Sequence, residues 1–185
     1  DKDGHKAAEE YDAKREEEEA LSNAIVESNH QAGKFIVRLR TSFQAKQFIA
    51  ELRALIKKQR VEKKVVVFED FDISQNSLAA NVLDRIFHTL VSSNVHVERL
   101  RAFGITTFNN EVCSLLAAWL KSTSYENTPF EIHLSDCAIS NNGFQEIVKA
   151  LEENDAFPGF HPRFFGKMPM YLRLENNYID RDMIQ

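Results

Sequence analysis

Glu131–Asn142, EIHLSDCAISNN, places the apolar residues Ile132, Leu134, Cys137 and Ile139 at relative positions 0, +2, +5 and +7. That spacing is neither the 3.6-residue period of a helix nor the plain alternation of a strand. It predicts a short strand carrying the first pair and a bend that turns the second pair back under the same core. The spacing recurs at Val66, Phe68, Phe71 and Ile73 in VVFEDFDIS and at Leu172, Leu174, Asn177 and Ile179 in YLRLENNYID. A weaker copy has Leu100, Phe103 and Ile105, with Glu98 where the first apolar residue belongs. With the last slot as marker, successive copies lie 32, 34 and 40 residues apart, a period that indicates a repeat architecture.

Between the copies lie helical patterns. In KFIVRLRTS, Phe35, Val37 and Leu39 alternate with Arg38 and Arg40, a strand signal, and Phe48, Leu52, Leu55 and Ile56 share one face of a helix over Gln44–Lys58. Strands at Val65–Phe68, Arg99–Ala102 and Glu131–Leu134 lead to helices near Asn76–Ser92, Asn110–Ser122 and Asn142–Glu153. One strand and one helix cannot bury both apolar faces, but units stacked side by side bury a continuous core. Helices are about 10 Å wide and strands only about 4.8 Å apart, so such a stack curves with its strands inside.

Units of this length carrying LxLxx(C/N)xI and an amphipathic helix resemble leucine-rich repeats of the ribonuclease-inhibitor type. The resemblance covers about Lys34 to the end. It implies an α/β leucine-rich-repeat solenoid, with a curved parallel sheet on the concave side and helices on the convex side. Residues 34–185 then form four to five strand–helix units, the last incomplete, and residues 1–33 a helical N-terminal tail. The family implies a non-catalytic scaffold that binds macromolecules. Glu98 in the first slot departs from the pattern.

The net charge of −5 is unevenly placed. Nine acids against four bases in residues 1–20 account for all of it, leaving the remainder neutral, so the acidic balance excludes no anionic ligand for the body. The tail is rich in Ala, Glu and Lys with no sustained apolar heptad, and its cluster Leu21, Ala24, Ile25 and Val26 is expected to dock over the first unit. At 185 residues and 43% apolar, the chain is long enough for one sizeable domain. No apolar run approaches the roughly 18–20 residues of a membrane span, and DKDGHKAAEE lacks the apolar block of a signal peptide. A soluble, intracellular and by default cytoplasmic protein is expected. Cys113 and Cys137 read as two buried thiols rather than a metal site, which would need more ligands.

Enzyme signatures are missing: no glycine-rich phosphate loop, no HExxH, no GxSxG. The expected protein is not an enzyme and takes no cofactor. The binding candidates come from the strand residues that point away from the core. In the register read here, one row is Arg38, Val67, Arg99, His133 and Arg173, and its neighbour is Arg40, Glu69, Arg101, Ser135 and Glu175. Three arginines and a histidine without an acid read first as a solvated sheet face compensated by nearby acids such as Glu69, Asp70, Asp136 and Glu175, and otherwise suit an acidic protein segment or, alternatively, the phosphates of an RNA. The insert DAFPGFHPRFFGKMPM, residues 155–170, sets Phe160, Phe164 and Phe165 among prolines and glycines, which predicts an irregular loop, either a lid on the core or a docking surface. The functional expectation is a protein–protein interaction scaffold within a larger complex, binding through the concave face, this loop and the N-terminal helix. The alternative is an RNA-associated protein using the arginine row.

Overall fold

The computed structural model describes residues 34–36, 42–62, 66–93, 95–161 and 164–184. The tail 1–33, Arg38, Arg40, Pro162 and Arg163 lie outside the described residues. The chain is a mixed α/β structure. Its strands are β1 (Lys34–Ile36), β2 (Val67–Phe68), β3 (Asp70–Asp72), β4 (His96–Val97), β5 (Arg99–Arg101), β6 (Glu131–His133), β7 (Phe160–His161), β8 (Gly166–Lys167) and β9 (Tyr171–Arg173). Its helices are α1 (Ser42–Val61), α2 (Ala80–Ser93), α3 (Asn110–Ser122) and α4 (Asn141–Glu152), followed by a 3-10 turn at Arg181–Met183.

The main sheet has the order β1-β3-β5-β6-β9, every pair parallel. Consecutive helices pack on one another, and their apolar faces meet the inward side chains of the strands in one cluster. Phe71, Leu100 and Ile132 come from the strands, and Leu52, Leu83, Leu116, Trp119 and Ile147 from the helices, all essentially solvent-free. Full burial of an aliphatic or aromatic side chain contributes roughly 1.5–3 kcal/mol, so this cluster holds the layers together.

Local chemistry sets the helix ends. Asn109 starts α3: its side-chain oxygen accepts from the amides of Glu111 and Val112 at 3.1 and 3.3 Å, satisfying two otherwise orphan donors. Ser140 sits at the same place before α4, but its hydroxyl accepts from Asn110 Nδ2 at 2.8 Å instead. Asn110 Oδ1 in turn accepts the Ser140 amide at 3.0 Å. One side chain at the start of α3 thus fixes the start of α4. Asn154 closes the other end, donating to the carbonyls of Leu120 and Thr123 at 2.8 and 3.0 Å.

The pairing corrects the register proposed from sequence. Phe71 pairs with Leu100, Leu100 with Ile132 and Ile132 with Leu172. The first slot is therefore Phe71, Leu100, Ile132 and Leu172, not Val66 and Glu98. The last slot becomes Leu78, Thr107, Ile139 and Ile179. The cause is an extra parallel pair, β2 with β4, lying just ahead of β3 and β5. It buries Val66, Phe68, Val95 and Val97; Val66 and Phe68 imitate the first slots of a unit starting five residues too early, whereas the copy read from Glu98 starts two residues too early. Helix α2 accordingly begins at Ala80 rather than Asn76, because Asn76 and Leu78 belong to the bend. The other helix limits agree with expectation to within a residue for α3 and α4.

In the corrected register the bend is the same four times. Gln75, Gly104, Asp136 and Asn176 stand at equivalent positions, and all have positive φ, 56°, 70°, 56° and 58°. The slot after each holds Asn76, Ile105, Cys137 or Asn177. Asn76 Nδ2 donates to the carbonyl of Ile73 at 2.7 Å, and Asn177 Nδ2 to those of Leu174 at 3.0 Å and Leu134 at 2.8 Å. Cys137 Sγ reaches the Ala102 and Ser135 carbonyls at 3.3 and 3.6 Å. A residue with a donor suits this slot because the bend turns backbone carbonyls inward, where an unmet acceptor is costly.

Candidate functional site

Two surfaces carry the residues singled out from sequence. On the sheet, each strand contributes side chains between its core positions, and the register decides which become neighbours. The rows are Asp70, Arg99, Glu131 and Tyr171, then Asp72, Arg101, His133 and Arg173, then Ser74, Phe103, Ser135 and Glu175. The expected row of three arginines without an acid does not exist among the described residues. Arg99 stands beside Asp70 and Glu131, and His133 lies between Arg101 and Arg173 in a row that begins with Asp72.

The charges are paired at short range. Arg101 Nε lies 3.0 Å from Asp70 Oδ1. Neither atom has the alignment of a hydrogen bond, so this attraction is Coulombic. Burial pushes the Asp70 carboxyl up against the lowering effect of Arg101 and Arg99. Asp72 accepts from the amide of Ser74 at 2.9 Å and from its hydroxyl. Arg99 Nε donates to the Glu69 carbonyl at 3.3 Å, and Arg173 Nε meets Glu175 at 3.3 Å.

A polar chain crosses the sheet further along. The His133 ring stacks on Phe103, centroids 4.6 Å apart, and its Nε2 lies 3.1 Å from Ser135 Oγ. The buried Ser135 hydroxyl donates to Glu175. Desolvation and then Arg173 lower the His133 pKa, while the Ser135 hydrogen bond holds Glu175 down to about 2. Because the serine proton goes to the carboxylate, the imidazole donates to serine. A serine nucleophile needs the reverse order, with histidine accepting from serine and the acid behind histidine. The arrangement orients side chains; it does not activate one.

The second surface is the insert before β9. Where an irregular loop is predicted, β7 and β8 pair as a short antiparallel hairpin, Phe160 opposite Lys167 and His161 opposite Gly166. The aromatic residues divide. Phe157 and Met170 pack against the core, and buried His161 lies between Phe130 and Phe164, at 4.4 and 4.8 Å. Phe160 faces Tyr125 at 6.3 Å, with Lys167 Nζ 5.6 Å from the same ring. Phe164 and Phe165 stand in solvent, 65% and 86% exposed. Phe165 also has a φ of 49°. The insert is therefore half lid and half outward projection.

No family model matches this chain, and no curated protein matches it significantly. The thiols offer no reactive centre: Cys113 in α3 and Cys137 in a bend are buried and free, and burial pushes the Cys113 thiol up to about 12. Among the described residues, no three His, Cys, Asp or Glu side chains gather to hold a metal, and no helix is long and apolar enough to cross a membrane. Sequence reading missed Asn76, Asn110 and Asn154. For Asn76 a signal existed, since FDISQNSL fits the LxLxxNxL spacing better than the stretch chosen.

Proposed function

We propose that the chain is a non-catalytic protein-interaction scaffold of leucine-rich-repeat type, acting within an intracellular complex and binding its protein partner through Phe164 and Phe165. The repeat reading is supported by the four equivalent bends, each with a left-handed residue followed by an inward slot. The concave disposition of the sheet belongs to the same reading. The docking site rests on one observation, the Phe165 side chain.

A bulky residue at positive φ costs roughly 1–2 kcal/mol, and an 86% exposed ring recovers little of that by burial. Its neighbour Phe164 is half anchored by His161, so the pair presents apolar area from a fixed base. Such a projection suits insertion into an apolar pocket on another protein. The RNA reading loses its main support, because Arg99, Arg101 and Arg173 each have a carboxylate beside them on the sheet.

The experiment is affinity purification of the tagged chain, with and without nuclease, for the native protein and for Phe164→Ser with Phe165→Ser. A partner held stoichiometrically through nuclease and lost from the double variant, at unchanged thermal stability, is the expected result. Retention by the variant removes the hairpin from the site; loss on nuclease treatment replaces this reading with the RNA one.

A further inference from the structure

The hairpin that carries Phe164 and Phe165 is held firmly at its base. The Met168 amide donates to the Gly159 carbonyl at 2.9 Å, just beyond the β7–β8 pair. Gly159 lies so close to buried Thr128 that a Cβ there would meet Thr128 Oγ1 at 2.0 Å. His161 is buried between Phe130 and Phe164. The segment between α3 and β6 thus fixes the hairpin, and a contact surface fixed before binding loses less freedom on association.

The insert also carries an unneutralised cation. Residues 156–174 include Arg163, Lys167 and Arg173 and no Asp or Glu. Arg173 already meets Glu175 at 3.3 Å, and Arg163 lies outside the described residues. Lys167 makes no ion pair with any described residue, Glu126 beside Tyr125 included. Its ammonium sits 5.6 Å from the centroid of the Tyr125 ring, and in the hairpin it stands opposite Phe160. A ring face attracts an ammonium but leaves its N–H donors for a further acceptor. Tyr125, Phe160 and Met168 are themselves partly exposed, so Lys167 stands among apolar side chains that continue the patch of Phe164 and Phe165.

We propose that the protein surface receiving Phe164 and Phe165 is an apolar pocket with an acidic rim, and that a rim carboxylate meets the Lys167 ammonium. The inference rests on the hairpin being the docking site and adds the chemistry of its partner. Covering the aromatic patch strips water from Lys167, and an ammonium desolvated against a neutral or basic surface is costly. A carboxylate opposite it supplies a charge-assisted hydrogen bond in place of the lost water. No acid of the insert competes for that ammonium, so its charge is available to the partner. The phenylalanines then provide the buried anchors, and Lys167 sets the rate of encounter and the choice between partners.

The test is binding kinetics of the full chain with the partner captured through the hairpin, comparing the native protein with Lys167→Arg, Lys167→Met and Lys167→Glu at equal thermal stability. Lys167→Arg should bind as the native chain does. Lys167→Met, whose stem still covers Tyr125, should associate about fivefold more slowly, and Lys167→Glu on the order of fiftyfold. Raising salt from about 50 to about 300 mM should shrink those gaps. Equal binding by the native, Met and Glu forms at low salt overturns the acidic rim and leaves the hairpin reading standing. Retention of the partner by Phe164→Ser with Phe165→Ser, or capture of none, removes the hairpin reading and this inference with it. Flotation of the native chain, but not of that double variant, with vesicles of equal parts phosphatidylcholine and phosphatidylserine assigns the patch to a membrane surface and rejects the acidic pocket.

Discussion

Single residues govern this molecule through hydrogen bonds that cross from one strand or helix to the next. Glu175 is held near pKa 2, below its usual 4.5, chiefly by the Ser135 hydroxyl. A depressed carboxyl contributes stability that is present above about pH 4.5 and lost as pH falls toward 2. Ser135→Ala should raise the Glu175 pKa and remove that acid-side loss, as followed by carboxyl NMR titration; an unmoved pKa would assign the depression to the backbone amide of Glu175 and to Arg173. Gly143 in α4 is a packing case. A Cβ there would lie 2.6 Å from Asn110 Oδ1 and 2.9 Å from Cys113 Sγ. Gly143→Ala should therefore push α4 from α3 and disturb the Asn110–Ser140 bonds, costing roughly 1–3 kcal/mol in denaturant unfolding despite alanine's better helix propensity.

At the scale of elements, the bend is the recurring device, and its donor slot is testable. Asn177→Leu keeps size but removes the donor from the Leu134 and Leu174 carbonyls, with an expected loss of about 1–3 kcal/mol by thermal or chemical unfolding. Were asparagine there only to fill space, the change would be neutral. Leu134→Ala removes a fully buried side chain and should cost roughly 2–5 kcal/mol. The helices were legible in sequence because their apolar residues follow one period over three or more turns. The strands were less so. A three-residue strand carries a single inward residue, and the adjacent β2 supplied Val66 and Phe68 as rivals at the same spacing.

Across the whole molecule, net charge and charge placement argue differently. The body after residue 20 is neutral by count, but only the register shows that Arg99 and Arg101 stand beside acids of neighbouring strands, while Arg173 meets Glu175 of its own strand. The described body should therefore show little retention on heparin and a log–log salt slope near zero for any RNA affinity. A slope of several units would restore the arginines as a phosphate site. Among the described residues, the large exposed apolar side chains lie mainly between Phe160 and Ile184, the stretch that carries the proposed hairpin contact.

The sequence by itself determined the α/β succession, the amphipathic faces of the helices and the turn-back of EIHLSDCAISNN, because these are local consequences of apolar spacing. It also marked the insert as aromatic and exposed in part. Tertiary structure decided the register, and with it the neighbours of every outward side chain. In a parallel sheet, partners about 30 to 40 residues apart meet through backbone bonds that any residue can make, so adjacency is fixed by which apolar slots the core accepts.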